Sequence, residues 1–319
     1  MLIEFIGLND EVAKKCIMNK LMQIETSKYE SVSVSLDHDP RQKIPSADFR
    51  VLLLFEPQAV MPWQYRRDNY SKFNLVVPMS FWRAKELGIE NHFFKSYANE
   101  GLRFPELDNQ RKKKIVMINS AKFSSGCTSL YSLRRETSKR LHSIGEDYTL
   151  YGENWRMPKI LELRKRLVSL RNSIVARESI CINELASLML YRYPEYYGWI
   201  ENKFELLSQA QLSLIIENDR HDITEKIFDS MYAGAVPIYV GPEFSREFPQ
   251  LERCIIRAST NVDSIVEKVQ GTTYEEVQRC RLAIKKFLGD ESEAGIGFWR
   301  PEYQWNKVSE IIYKTLTTA

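Results

Sequence analysis

The sequence predicts an α/β protein made of two doubly wound, Rossmann-type domains that face a cleft. Three observations carry this. Short apolar runs of strand length recur along the chain, among them Phe49–Phe55, Ile115–Asn119, Leu212–Ile216 and Val236–Val240. Between them lie stretches with apolar residues three and four apart, the helical period. A polar stretch from Asn99 to Lys114, with Pro105 and the basic run Arg111–Lys114, splits the series in two and reads as a solvated linker.

Taken in order, Asn9–Glu25 reads as a helix, and Ser31–Leu36 alternates like a strand. Phe49–Phe55 is a buried strand that ends at Glu56 and Pro57, and Phe73–Pro78 is a shorter one. After the linker, Ile115–Asn119 opens a second series with a helix at Leu130–Ser143 and a strand at Tyr148–Tyr151. A long helix follows, in which Ile160, Leu163, Leu167, Leu170 and Ile174 form a stripe read as core packing. Leu212–Ile216, Val236–Val240 and Cys254–Ile256 complete the strands. Strands that alternate with helices imply parallel sheets, with ligands at their carboxyl ends. The expected domains are residues 1–110 and 111–319.

Composition narrows the function classes. At 319 residues with 44% hydrophobic and 27% charged content, the chain is globular and long enough for two cores. The formal charge of +3, from 45 basic against 42 acidic residues, argues against a dedicated nucleic-acid binder. No apolar run approaches the ~20 residues of a membrane helix, and MLIEFIGLNDE lacks the basic start of a signal peptide. The five cysteines have no CxxC spacing and no paired histidines. They read as thiols in a reducing, cytoplasmic setting, with no zinc site.

The richest segment is Asn202–Pro242. Within Asn218–Ile227, Asp222 suits a helix N-cap and Glu225 stands three residues later, the spacing of a capping box. The same junction can serve a phosphate: a helix N-terminus offers N–H groups and partial positive charge, and Lys226 adds a full charge. Spacing alone favours the cap.

The company of this junction is what resembles a known family. Lys203, Glu205, Leu207, Ser208, Gln209, Leu214, Glu217 and Asn218, then Thr224, Glu225 and Lys226, then Pro237, Ile238, Tyr239 and Gly241 follow in order the donor motif of family 10 glycosyltransferases, the α-1,3/1,4-fucosyltransferases. Two departures stand out: Asp222 replaces an aromatic residue, and the loop after Asn218 is shorter. Two further patches are similar to the family. Ser129–Leu141 matches the segment whose arginine binds the donor diphosphate, here Arg134 or Arg135, of which one helix face admits one. Tyr148–Trp155 matches a strand end at which Tyr151 and Gly152 shape the loop beneath the donor.

The resemblance implies a GT-B-like fold and an inverting transfer of fucose from GDP-fucose to a glycan hydroxyl, with no essential metal or other cofactor. Glu56 stands where the family has its general base, after an apolar strand. Glu217, Asn218, Thr224, Glu225 and Lys226 would hold the donor, with Glu225 on the ribose. The last helix, Tyr303–Leu316, would cross back to the first domain. Asp37-His38-Asp39 has the spacing of a manganese motif from another glycosyltransferase fold, but a turn after Leu36 accounts for it better. The implied partners are a nucleotide sugar and an oligosaccharide or glycan acceptor, with no nucleic acid and no integral membrane segment. Two rivals remain: the same fold with another nucleotide sugar, and a binding module without turnover.

Overall fold

The computed structural model describes residues 1–24, 28–39, 42–94, 115–156, 159–176, 180, 193 and 195–318. The expected linker with Pro105 and Arg111–Lys114 lies outside them, as do Glu25 and Cys181. Two parallel sheets form the framework.

The first sheet has spatial order β1 (Leu2–Ile6), β2 (Ser31–Leu36), β3 (Phe49–Leu54) and β4 (Leu75–Pro78). The edge strand β1 was not foreseen; its Leu2 is largely exposed, and it pairs only with β2. Helix α1 (Glu11–Leu21) starts one residue after Asp10, whose carboxylate accepts the N–H groups of Val12 and Ala13 at 2.9 and 3.1 Å. It buries Ala13, Ile17 and Leu21. Helices α2 (Arg67–Tyr70) and α3 (Phe81–Leu87) flank β4, and Ser80 caps α3.

The second sheet runs β10 (Ile256–Arg257), β9 (Val236–Val240), β8 (Leu212–Ile216), β5 (Ile115–Ile118), β6 (Tyr148–Tyr151), β7 (Tyr196–Gly198). All its pairings are parallel. The chain winds from β5 to β7, returns, and winds the other way from β8 to β10. The switch point between β5 and β8 is where doubly wound sheets open a ligand crevice. Strands β8 and β9 are buried along their whole length, which is why they read as continuous apolar runs. The remaining helices are α4 (Tyr131–Ser143), α5 (Lys159–Ala176), α6 (Lys203–Gln209), α7 (Lys226–Tyr232), α8 (Pro249–Glu252), α9 (Val262–Gly271), α10 (Tyr274–Leu288) and α11 (Pro301–Thr318).

Helix α11 packs on the first sheet, not the second. Trp305, Val308, Ile312 and Leu316 join Ala13, Ile17 and Val34 in one core, and the Trp305 indole donates to Asp10 at 3.0 Å.

Helix α5 corrects the sequence reading. Its stripe is not core packing: Ile160 is 86% exposed, Leu163 51%, Leu167 57% and Ile174 58%. The buried face is polar instead. Arg166 stacks on Phe123 at 4.7 Å, Ser169 Oγ accepts the Ser125 N–H at 3.0 Å, and Ser125 Oγ donates to Ser173 Oγ at 2.8 Å. The inward positions 166, 169 and 173 also share one helix face. Periodicity finds two faces but does not say which one meets the protein.

The two sheets meet through a buried charge cluster. Arg83 of α3 donates to Asp219 at 2.9 Å and Asp222 at 3.2 Å, and it also pairs with Glu86. Ser80 Oγ donates to the His221 carbonyl at 2.7 Å. Burial alone would lower the Arg83 guanidinium, but Asp222 and Asp219 reverse this and hold it above its ordinary value. Asp222 is therefore not the expected N-cap. Helix α7 begins at Lys226, and its N-cap position, Glu225, makes no side-chain capping bond.

Candidate active site

The site is built from strand ends. Just after β2, Asp37 adopts a left-handed φ of 51° and turns its carboxylate onto the N–H groups of Phe55 and Glu56, which follow β3, at 2.7 and 3.0 Å. The Tyr65 hydroxyl and the Gln64 amide donate to the Glu56 carbonyl at 2.6 and 3.0 Å. Both backbone polar groups of Glu56 are thus tied down, and its half-buried side chain lines the cleft. The Asp37-His38-Asp39 stretch is the turn the sequence suggested, with a second duty of holding Glu56. Among the described residues, no group of three or more His, Cys, Asp or Glu side chains could hold a metal ion.

Across the cleft stands the switch point. Helix α4 directs Arg134 beneath it. The guanidinium donates to the Ile216 carbonyl at 2.6 and 2.9 Å, to the Ser120 carbonyl at 3.1 Å and to Asn218 Oδ1 at 2.8 Å. Burial pulls it down to about 10, against the neighbouring Tyr131 and Glu217. It stays charged at neutral pH. Arg135 is equally buried but turns away: it donates to the Lys122 carbonyl at 2.8 Å and stacks on Phe123. Of the two candidate arginines, Arg134 lines the cleft. Arg135 is not part of that lining.

The loop after β8 is held by Glu217. This carboxylate accepts the Thr224 N–H at 3.0 Å, the Thr224 hydroxyl at 2.6 Å and the Tyr239 hydroxyl at 3.1 Å. It is fully buried, and burial pushes its carboxyl above the usual range. Glu217 therefore shapes the loop and does not line the cleft. Lys226 Nζ donates to Thr224 Oγ1 at 3.0 Å. Burial lowers the Lys226 amine, while Glu217 and Glu225 favour its charged form.

These pieces close a cleft of about 210 Å³. One wall is Phe55, Glu56, Pro57 and Met79; the other is Ser120, Lys122, Arg134, Asn218, Thr224, Glu225 and Lys226. Six of the ten predicted site residues therefore meet in one space: Glu56, Arg134, Asn218, Thr224, Glu225 and Lys226. An adjoining cavity of about 490 Å³ shares Ser120, Lys122, Glu225 and Lys226, and adds Asn119, Gly152, Trp199 and Lys203. Gly152 has φ 126°, and a Cβ there would lie 2.2 Å from the Asn119 carbonyl oxygen. Only glycine lets these two strand ends approach so closely. Tyr151 stacks on Tyr197 instead of lining either space.

Sequence reasoning missed Ser120 and Lys122. The available signal was position: both directly follow β5, the first strand of the second sheet, where the crevice opens. It also missed the pairing of Arg83 with Asp219, which no local pattern announces.

A carboxylate on one wall faces an arginine and two lysines on the other. Such a pair of walls can take a proton from a nucleophile while it neutralises an anionic leaving group. No protein-family model matches the sequence, and no curated protein does. Solved structures match in fold. TarM aligns over 95% of this chain at 11% identity and a TM-score of 0.51. A glycosyltransferase from Rickettsia africae ESF-5 aligns over 98% of this chain and 85% of its own, at 10% identity and 0.51. A UDP-forming α,α-trehalose-phosphate synthase from Burkholderia xenovorans covers 97% and 78%, at 10% identity and 0.51. The chain spans 58% of the length of TarM. Two parallel α/β sheets and these neighbours make the fold GT-B-like.

Proposed function

We propose that this protein is an inverting glycosyltransferase that moves fucose from GDP-fucose to a hydroxyl of a glycan acceptor, in the manner of family 10. The observation that carries the reading is the single cleft in which Glu56 faces Arg134, Asn218, Thr224, Glu225 and Lys226. The acceptor side is assigned to residues 1–110 and the donor side to 111–319, with α11 returned to the first half. Glu56 takes the proton of the acceptor hydroxyl as its oxygen attacks the anomeric carbon from the face opposite the diphosphate. The carbon–oxygen bond to the diphosphate breaks, and GDP departs with the electron pair. Lys226 meets the growing negative charge. Arg134 has spent most of its donors on Ile216, Ser120 and Asn218, so it acts through its charge and by setting that wall. Glu225 holds the ribose. Because lysine and arginine supply the positive charge, the reading needs no metal.

Glu56→Gln is the direct test. Transfer should fall by about 10²–10⁴-fold, the usual weight of a general base, with GDP affinity unchanged. Full activity in the variant overturns the base, and GDP-fucose binding without transfer in the wild type favours a binding module. A different donor is favoured by one observation: Asp222, at the family's aromatic position, is paired with Arg83. Calorimetry with GDP and UDP separates the donors, and tighter binding of UDP overturns the fucose assignment.

A further inference from the structure

A second cavity of about 590 Å³ adjoins the cleft and shares Lys122 with it. One wall is the loop after Glu56, at Ala59, Val60 and Pro62; another is α5, at Leu161, Arg164 and Val168. Tyr131 also lines it. Its hydroxyl is buried and bonds to nothing among the described residues. A buried hydroxyl without a partner is destabilising unless something satisfies it, and a ligand oxygen would.

The outer face of α5 is an independent observation. Ile160, Leu163, Leu167 and Ile174 lie bare at helical spacing, and Arg164 and Arg171 are exposed beside them. Exposed aliphatic surface of this kind is stabilised by burial against a partner. An aliphatic stripe flanked by arginines suits the boundary of an anionic lipid layer, where the apolar side chains enter and the cations meet phosphates. Among the described residues, no helix is long and apolar enough to cross a membrane. Contact through α5 is therefore contact at the surface.

We propose that the second cavity is the acceptor subsite for an anionic amphiphile, a glycan joined through phosphate to an apolar tail, and that α5 rests on the lipid surface holding that tail. The phosphate meets Lys122 and Arg164, and the tail follows Val60 and Val168 outward. The acceptor role rests on the transferase reading above; the lipid contact does not.

The 319-residue chain is sedimented with phosphatidylcholine vesicles that contain or lack phosphatidylglycerol. It should pellet with the anionic vesicles, and the Leu163→Asp/Leu167→Asp variant should bind them about tenfold more weakly with unchanged thermal unfolding. Octyl phosphate and octyl glucoside are titrated by calorimetry in parallel. Octyl phosphate should bind more tightly, and Arg164→Ala should weaken it by about tenfold while GDP binding holds. A wild type that ignores anionic vesicles, or a variant that binds them equally, overturns the lipid contact. Equal binding of the two probes, or indifference to Arg164→Ala, overturns the cavity assignment. A wild-type dimer that the double aspartate variant splits makes α5 a self-interface and also overturns the proposal. None of these readouts needs turnover. Vesicle and probe binding without sugar transfer would support the surface and refute the transferase reading alone.

Discussion

Glu56, Lys226 and Gly152 show how single residues make the cleft and the cavity beside it. Glu56 is aimed by its backbone partners, since Asp37, Gln64 and Tyr65 restrain its main chain on both sides. Lys226 carries the charge, and burial has moved its amine below the ordinary lysine value. The sign of the consequence follows: the charged form, which would bind diphosphate on the proposed reading, is lost as pH rises through a value lower than usual. GDP affinity should therefore decline on the alkaline side earlier than an exposed lysine would allow, and Lys226→Arg should move that decline to higher pH. Lys226→Ala should weaken GDP by about tenfold, the factor that about 1.4 kcal/mol represents. Calorimetry over a pH series checks all three. At Gly152 the argument is steric. Gly152→Ala would drive a methyl group into the Asn119 carbonyl and should cost about 1–3 kcal/mol, measured by urea unfolding.

The elements are joined by side chains far apart in sequence. Helix α3 and the loop after β8 form a joint because Arg83 reaches both Asp219 and Asp222. Burial would raise the Asp219 carboxyl, but His221, Arg83 and Thr128 hold it down to about 2. A carboxylate depressed by folding adds stability that is complete above its unfolded value and is lost as pH falls toward 2. Removing one member of such a buried group leaves the others uncompensated. Arg83→Ala should therefore cost about 3–5 kcal/mol at neutral pH. The difference from wild type should shrink on acidification, as the carboxylates neutralise. Denaturant titrations at neutral and acid pH give both numbers. The joint also explains the departure at Asp222: the residue is committed to α3 and is not available to a nucleotide.

The whole molecule depends on its last helix. Trp305, Val308, Ile312 and Leu316 lie in the core of the first sheet, although they end the chain that builds the second. Burying four such side chains contributes about 6 kcal/mol or more, a large share of the net stability of a typical domain. A chain that stops at Arg300 should lose amide protection in β1–β4 and keep it in β5–β10, as hydrogen exchange would read. Uniform protection in that truncated chain would show that α11 is dispensable.

The framework was legible because it rests on local chemistry, and part of the site because its residues follow the order of a family motif. Apolar runs of strand length marked β3, β5, β6, β8 and β9 within a residue or so, because strands of a buried parallel sheet are largely apolar; alternation marked β2, although its Ser33 and Ser35 are as buried as Val32 and Val34. The motif residues Asn218, Thr224, Glu225 and Lys226 and the strand-end Glu56 are legible only through the family resemblance; position alone gives a helix start at Glu225 and Lys226 and a strand end at Glu56. Only the tertiary structure decided which of Arg134 and Arg135 lines the cleft, that Glu217 is a brace, that Asp222 pairs with Arg83, and that α5 turns its aliphatic side outward. Each depends on what surface a side chain meets, and those partners are distant. Asp219 is 136 positions from Arg83, and 82 separate Arg134 from the Ile216 carbonyl. Periodicity and capping rules reach across a turn or two of chain; the choice of partner across a cleft is made by packing.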